Sequence, residues 1–464
     1  WTYRMEDNPT YYNFGDYTYS NFTDPLNKGR EKYVYYTEGI YVGYRYFETA
    51  AKENFIDYDK VVQYSFGYGL SYTTFSWSNP SWEISGKGGE IKVSLDVKNT
   101  GDTYSGKDVV QLYYHAPYDA SEGIEKSEVV LGGFVKTKLL APGETERVTI
   151  TMNYDDMASY DYKNEKAYVL SKGEYQLSLR SDSHTVKNEL VHDFKIDNKI
   201  VYNAANGARS SDKVAATNQY DDVSNGDGTF GTTAKLMTRS DFKNTVPTSR
   251  DQYANASANQ ETIDRMSNSY AGSAIDIENL DKIYPGYEKP IMNANNGLVV
   301  SDMIGLDYDD PQWEKLLDEL SLDDMMELFG NCGWHNPAIV SIQKAAGIDM
   351  DGAEGLHDLT KDKTGNQYAI TVILASSFNV ELAKEFGDVY GDECLVSSIS
   401  ALYAPSMNIH RSPFGGRAFE YYSEDPLLSG KMAASQIKEL WEEKGVSVYI
   451  KHYMLNDQET NRQN

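Results

Sequence analysis

The chain has 464 residues, enough for two or three domains, each with a core of its own. Seventy acidic residues against 43 basic ones give a formal charge of −27, which repels nucleic acid phosphates and anionic lipid and accommodates a neutral ligand more easily. Two cysteines, Cys332 and Cys394, exclude a disulfide framework and sit in no metal-ligand spacing, and no apolar run approaches the ~20 residues of a membrane span. Trp1-Thr2-Tyr3-Arg4 has none of the regions of a signal peptide, so the chain reads as soluble, with a cytoplasmic or a secreted setting equally open. Because it opens on aromatic, structured-looking sequence rather than on methionine, it reads as a segment of something larger.

Residues 1 to about 75 are rich in Tyr, Gly and Asn and end in Val61-Val62-Gln63-Tyr64-Ser65-Phe66-Gly67-Tyr68-Gly69-Leu70. They predict irregular coil with short β pieces and aromatic anchors, unable to fold alone. From about 83 to 197 the apolar period becomes two. Ile91, Val93, Leu95 and Val97 alternate with polar residues, and Val110, Leu112 and Tyr114, then Val148, Ile150 and Met152, then Tyr175, Leu177 and Leu179 repeat the pattern. Turn signals at Asn99-Thr100-Gly101-Asp102 and Pro142-Gly143 separate these strands. The result is a β-sandwich of immunoglobulin-like size with no catalytic constellation, whose default role is packing.

Residues 198 to about 305 are polar, carry Asn225-Gly226-Asp227-Gly228, and predict a connector laid over a surface or partly mobile. Two glycosylation sequons, Asn21-Phe22-Thr23 and Asn255-Ala256-Ser257, read as coincidence. The third unit starts near Asp309. Trp313, Leu316, Leu317 and Leu320 predict one helix, and Ser321 is the N-cap of the next, with Met325, Leu328 and Phe329 on its buried face. A helix near 379–390 places Leu382, Phe386 and Val389 on one face, and another runs from Pro426 to Lys444 between an Asp425 cap and Gly445. Strands near 371–375, 401–405 and 446–450 alternate with these helices, the pattern of a parallel α/β sheet or barrel.

Polar and charged residues burst out where these strands end, as in α/β barrels that do chemistry at the carboxyl ends of their strands. The first burst, Asp351-Gly352-Ala353-Glu354-Gly355, follows a further short apolar strand and gives a carboxylate on a flexible turn. The second is Asn408-Ile409-His410-Arg411-Ser412-Pro413-Phe414-Gly415-Gly416-Arg417-Ala418-Phe419-Glu420, where two glycines let the backbone approach closely and let Arg417 turn inward. Lys451-His452 ends the third strand, and Asn456, Asp457, Glu459 and Arg462 follow on the next loop. A carboxylate accepts hydrogen bonds from two adjacent hydroxyls, and the whole set suits a polyhydroxylated ligand. Each group alone also fits an ordinary turn or a surface pair. No metal or organic cofactor is called for.

The ordered run from Asn408 to Arg462 resembles glycoside hydrolase family 3, the β-glucosidase family. The resemblance implies that Asp351, Arg417, Lys451 and His452 bind the hydroxyls of the sugar being cleaved, with Arg411, Glu420, Glu459 and Arg462 as supporting residues. Ala353 replaces the proline usual in the family's Asp-Gly-Pro-x-Gly turn. It also implies a multidomain α/β plus all-β architecture: residues 1–80 as the C-terminal part of an α/β sandwich domain, 83–197 as a fibronectin type III-like β-sandwich, 198–308 as connector and 309–464 as the first half of a (β/α) barrel of TIM type. Leu236-Met237-Thr238-Arg239-Ser240-Asp241-Phe242 is similar to the connector of members whose domains run in reversed order.

The activity implied is a retaining, exo-acting β-glycosidase of β-glucosidase type. Its aspartate nucleophile and its acid/base glutamate are expected outside this segment, so the catalytic residues are unknown. Val299-Val300-Ser301-Asp302-Met303 looks superficially like the family's nucleophile segment but precedes the Asp-Gly turn and lacks the aromatic. The partners implied are a β-linked glucoside or oligosaccharide, with no nucleic acid and no membrane, and with a homo-oligomer or a complementary chain that completes the barrel left open. The rival readings are a catalytically incomplete carbohydrate-binding or scaffolding protein, and a β-xylosidase or other family 3 specificity.

Overall fold

The computed structural model describes residues 1–19, 31–218, 235–249, 255–256, 260, 285–286, 288–357, 365–456 and 458–459. The alternating segments form two antiparallel sheets face to face. Strands β1 (Phe75–Ile84), β2 (Glu90–Asn99), β3 (Val109–His115), β4 (Val130–Lys136), β5 (Thr145–Asn153), β6 (Gly173–Arg180) and β7 (Val186–Ile196) divide into a three-stranded sheet ordered β1-β2-β5 and a four-stranded sheet ordered β7-β6-β3-β4. The period of two drives this: Ile91, Val93, Leu95 and Val97 are wholly buried while Lys92 and Lys98 face water. Val110, Leu112, Ile150, Leu177 and Leu179 close the core from the neighbouring strands. The first strand, Phe75–Ile84, pairs along β2 and belongs to this unit.

Ahead of the sandwich, strands Phe14–Tyr19 and Glu31–Val34 pair antiparallel, and helix α1 spans Tyr44–Lys52. That helix stands where the sequence predicts coil. Its residues Tyr44, Tyr46, Phe47 and Ala50 are buried, so tertiary packing rather than propensity supports it.

The last unit holds a four-stranded sheet ordered β8 (His335–Asn336), β9 (Gly347–Asp351), β10 (Ala401–Tyr403) and β11 (Ser447–Val448). Strand β8 is antiparallel to β9, and β9, β10 and β11 are parallel, with Asp351 opposite Tyr403 and Ala401 opposite Ser447. The same unit carries helices α2 (Gln312–Leu317), α3 (Leu322–Gly330), α4 (Thr371–Ser376), α5 (Val380–Val396) and α6 (Pro426–Lys438); α5 packs on the sheet through Tyr390 and Cys394, whereas α2 and α3 pack in a separate cluster with Met303 and Ile339. Ser321 and Asp324 make a reciprocal capping box on α3. Asp425 Oδ1 accepts the Leu427 and Leu428 amides at 2.9 Å each, with Pro426 in the first turn of α6.

Three expectations need correction. Residues 371–376 are helical, not a strand: the β-branched run Thr371-Val372-Ile373 is overridden because Thr371, Leu374 and Ala375 are buried on one side of a helical turn. Helix α5 buries Ala383, Gly387, Tyr390, Gly391 and Cys394, while Leu382 and Val389 are exposed. Small residues lie inward because the neighbour is close: a Cβ on Gly387 would sit 2.6 Å from the carbonyl oxygen of Gln436. Phe329, read as buried on α3, is 84 % exposed.

The parts share one apolar cluster. Tyr44 of α1, Tyr113, Leu131 and Phe134 of the four-stranded sheet, and Leu374, Phe378, Leu428 and Met432 of the last unit pack together. Polar ties reinforce it. The Tyr44 hydroxyl donates to Asp425 Oδ2 at 2.9 Å and accepts the Leu131 amide at 2.9 Å, and Arg45 reaches the same carboxylate at 3.3 Å. In the connector, the buried Arg239 bonds Glu53 and Glu128 at 2.7 Å each and stacks its guanidinium over Tyr118. Among the described residues no helix is long and apolar enough to cross a membrane.

Candidate active site

The carboxyl ends of β9, β10 and β11 gather four charged side chains. Asp351 is the last residue of β9, and beyond β10 the chain at Ser406 bridges in parallel to Lys451 on one side and Tyr421 on the other. The Ala404–Pro405 and Lys451–His452 peptide bonds are both cis. Lys451 Nζ lies 2.8 Å from Asp351 Oδ1 and 3.0 Å from Glu420 Oε2. Glu420 Oε1 accepts the Nε–H of Arg417, and its Oε2 accepts the Ser406 hydroxyl at 2.9 Å. Asp351, Lys451, Glu420 and Arg417 therefore form one continuous row, two negative and two positive.

Burial works to push the Glu420 carboxyl up, but Arg417 and Lys451 outweigh it and hold the group below the ordinary glutamate range. Burial likewise opposes the charge on Arg417, and Glu420 reverses that, leaving the guanidinium more firmly protonated. Glu354, 7 % exposed under the same row, behaves oppositely: burial first, and then the Glu420 carboxylate, push its carboxyl up to about 7.

His452 stands beside Lys451 and is fixed from both sides. Its amide donates to Asn408 Oδ1 at 2.7 Å, and its Nδ1 is 2.7 Å from the Tyr421 hydroxyl, which also receives Asn456 Nδ2 at 3.1 Å. On Asp351, Oδ1 takes both Lys451 and the Gly352 amide, whereas Oδ2 has no partner among the described residues. That oxygen, with the remaining donors of Lys451 and Arg417, offers one acceptor and several donors within a small span.

The supporting residues divide. Glu420 is in the row, and Glu459 lies beside it, its amide bonded to the Phe414 carbonyl at 3.2 Å and its side chain against Gly416. Arg411 is not in the group. It is buried and pairs with Glu38 at 2.5 Å, over the ring of Tyr36, tying the first segment to the Arg411–Phe414 stretch. Arg462 and Asp457 lie outside the described residues. Asp302 is exposed and caps its own turn by accepting the Val299 amide at 2.9 Å; its neighbour Met303 belongs to a separate apolar cluster with Leu316. Sequence reasoning gave no role to Glu354, Tyr421, Asn408 or Ser406. A readable signal existed for Glu354 alone, which stands within the Asp-Gly turn motif. Among the described residues no group of three or more His, Cys, Asp and Glu side chains is placed to hold a metal ion.

Comparison with known proteins bears on this geometry. Residues 108–183 match the fibronectin type III-like domain, and residues 342–461 match the glycosyl hydrolase family 3 N terminal domain. Beta-glucosidase A of Butyrivibrio fibrisolvens is 31 % identical over 458 residues, which covers 93 % of this chain and 51 % of that protein. The chain belongs to glycoside hydrolase family 3. A second family 3 relative, the beta-glucosidase of Ruminococcus albus, is 30 % identical over 454 residues, 92 % of this chain and 40 % of its own length. The crystal structure of a beta-glucosidase from Paenibacillus barengoltzii superposes with a TM-score of 0.67 at 26 % identity, across 98 % of this chain and 45 % of that one. In this family 3 chain the β-sandwich precedes the α/β unit. It spans about half or less of the length of the curated relatives it matches.

Proposed function

We propose that this chain carries the sugar-binding half of a retaining, exo-acting β-glucosidase, with Asp351, Arg417, Lys451 and His452 gripping the hydroxyls of the terminal non-reducing glucose. The observation that carries the reading is the single charge-balanced row from Asp351 to Arg417 at the carboxyl ends of parallel strands. Such a row is rigid and neutral, so it offers donors and acceptors to a neutral sugar without attracting an ion. Asp351 Oδ2, which has no partner among the described residues, accepts from two adjacent hydroxyls, and the remaining N–H groups of Lys451 and Arg417 donate to their neighbours.

In the same reading the parallel sheet and its helices are part of a (β/α) barrel of TIM type, and residues 1–80 are the end of an α/β sandwich domain packed against it. Retention takes a carboxylate nucleophile and a proton donor about 5 to 5.5 Å apart. Neither is assigned to a residue of this segment. Glu420 is engaged by Arg417, Lys451 and Ser406, and Asp302 by its own turn, which supports seeking the nucleophile elsewhere.

The test is a panel of nitrophenyl glycosides on the intact protein together with calorimetry of glucose binding. Hydrolysis of the β-glucoside ahead of the β-xyloside and α-arabinoside is the expected result. Arg417→Met and Asp351→Asn should each weaken glucose binding at least about tenfold, or ~1.4 kcal/mol. Glucose binding without turnover of any glycoside would establish a carbohydrate-binding protein instead, and absence of both would end the proposal.

A further inference from the structure

Strands send alternate side chains to opposite faces of a sheet, and in the last unit those two faces differ in chemistry. Met350, Leu402 and Val448 turn toward Tyr390 and Cys394 of α5. Asp349, Asp351, Tyr403 and Tyr449 turn the other way. The register sets Asp351 beside Tyr403 and, one step on from the Leu402–Val448 pair, Tyr403 beside Tyr449. Lys451 lies two residues beyond Tyr449 and meets Asp351 Oδ1 at 2.8 Å. The face that presents the charged row thus also presents aromatic rings.

These rings form a braced wall. Tyr403 and Tyr449 stack with centroids 5.2 Å and planes 27° apart, and Trp334 stands at 89° to Tyr403 with centroids 5.2 Å apart. Trp334 directly precedes β8, and its carbonyl accepts the Asp349 amide at 3.1 Å, which places it across from Asp349. The Tyr403 hydroxyl donates to the Gly333 carbonyl. The Tyr449 hydroxyl donates to Asp349 Oδ2 at 3.3 Å, an oxygen that also accepts Asn336 Nδ2 at 2.7 Å. Both phenol oxygens therefore hold the wall in place, and the rings are what a ligand would meet. Trp334 is 52 % exposed and Tyr449 40 %.

A pyranose has two kinds of surface. Hydroxyls around its rim need donors and acceptors, whereas the C–H groups on its faces are apolar and bury well against flat rings. The row from Asp351 to Arg417 answers only the rim. Tyr403 is the register neighbour of Asp351, about 4.8 Å away across the strands, so a sugar bonded to Asp351 Oδ2 lies next to the wall.

We propose that Trp334, braced by Tyr403 and Tyr449, is the stacking platform for one C–H face of the sugar whose hydroxyls the row holds, and that it selects pyranoses with no axial hydroxyl on that face. The inference rests on the β-glucosidase reading above and deepens it. In β-glucose every ring hydroxyl is equatorial, so both faces present only C–H groups. Galactose turns the hydroxyl at C4 toward one face, and allose turns the hydroxyl at C3 toward the other. Whichever face meets the indole, one of these two epimers presses an unpaired hydroxyl against an apolar ring.

The test measures binding of glucose, galactose and allose to the intact wild-type protein, W334A and W334F by calorimetry, and follows tryptophan emission during the glucose titration. W334A should bind glucose roughly tenfold more weakly, with part of the loss recovered in W334F. The wild-type preference for glucose over one epimer should shrink in W334A. Wild-type emission should change as glucose saturates, and that change should be missing from W334F. Unaltered glucose affinity in W334A, or epimer preferences that W334A leaves intact, overturns the inference and leaves the row standing as the sugar site. If W334A does not fold, W334F decides: an emission change that persists in it overturns the inference. Failure of the wild-type protein to bind glucose removes the sugar site and this inference together.

Discussion

Lys451 keeps two carboxylates from facing one another bare. Asp351 Oδ1 and Glu420 Oε2 both lie within 3.0 Å of its ammonium, which is 11 % exposed. Lys451→Met removes the cation and leaves like charges adjacent in a partly dry place, a loss of about 2 kcal/mol after allowance for solvent contact. Urea denaturation at pH 7 should show this loss, and it should shrink at about pH 3.5, where carboxylates take up protons. An equal deficit at both pH values would point to lost packing instead. At this scale the sequence was informative where polar residues crowd the end of an apolar strand, as at Asp351 and Lys451. It was silent on Tyr421 and Asn408, whose contacts to His452 depend on the Asn408 and Tyr421 stretches being folded alongside Lys451. No local pattern encodes that.

The start of α6 is tied at once to its own first turn and to α1. Asp425, wholly buried, accepts two helix amides, the Tyr44 hydroxyl and the Arg45 guanidinium. Asp425→Ala removes the cap, worth about 1–2 kcal/mol, and strands the hydroxyl and guanidinium of α1. Hydrogen exchange should accelerate in the first turn of α6 and in α1 together, although 381 positions separate Tyr44 from Asp425 in sequence. Faster exchange in α6 alone would mean that α1 is held by its apolar contacts only. The caps of α3 and α6 were legible because Ser321 and Asp425 act on amides a turn away. The helical state of Thr371–Ser376 was not, because Leu374 and Ala375 meet partners from other units. The buried side of α5 was misread for a related reason: closeness to α6 selects glycine and alanine, which carry almost no hydropathy signal.

Across the whole molecule, stability should fall as pH rises through neutrality. His184 of the sandwich bonds Glu48 of α1 at 2.9 Å, and that hydrogen bond holds the imidazole above its ordinary value against the effect of burial. A basic group raised by folding contributes fully below its unfolded value near 6.5, and the contribution is lost as pH passes its folded value. Glu354 acts in the same direction. The folded state favours its proton, so stability declines between the ordinary 4.5 and about 7, by an order of 3 kcal/mol at most. Melting temperature should therefore drop between about pH 5 and 8, and His184→Gln should flatten the upper part of that drop and E354Q the lower. A flat wild-type profile would contradict both assignments. The division into units was readable from the change of period near β2. The contacts between units were not, since α1 and the connector's Arg239 reach partners far away in sequence.

The four-stranded sheet of the sandwich is clothed on both sides: Leu112 faces its own core, and Tyr113, Leu131 and Phe134 face the cluster shared with α1 and α6. A sandwich transplanted alone into another protein would thus arrive with an adhesive aromatic patch on its surface. Excising it cleanly requires repainting those three positions with polar residues, whereas the Leu112 side can be left as nature wrote it.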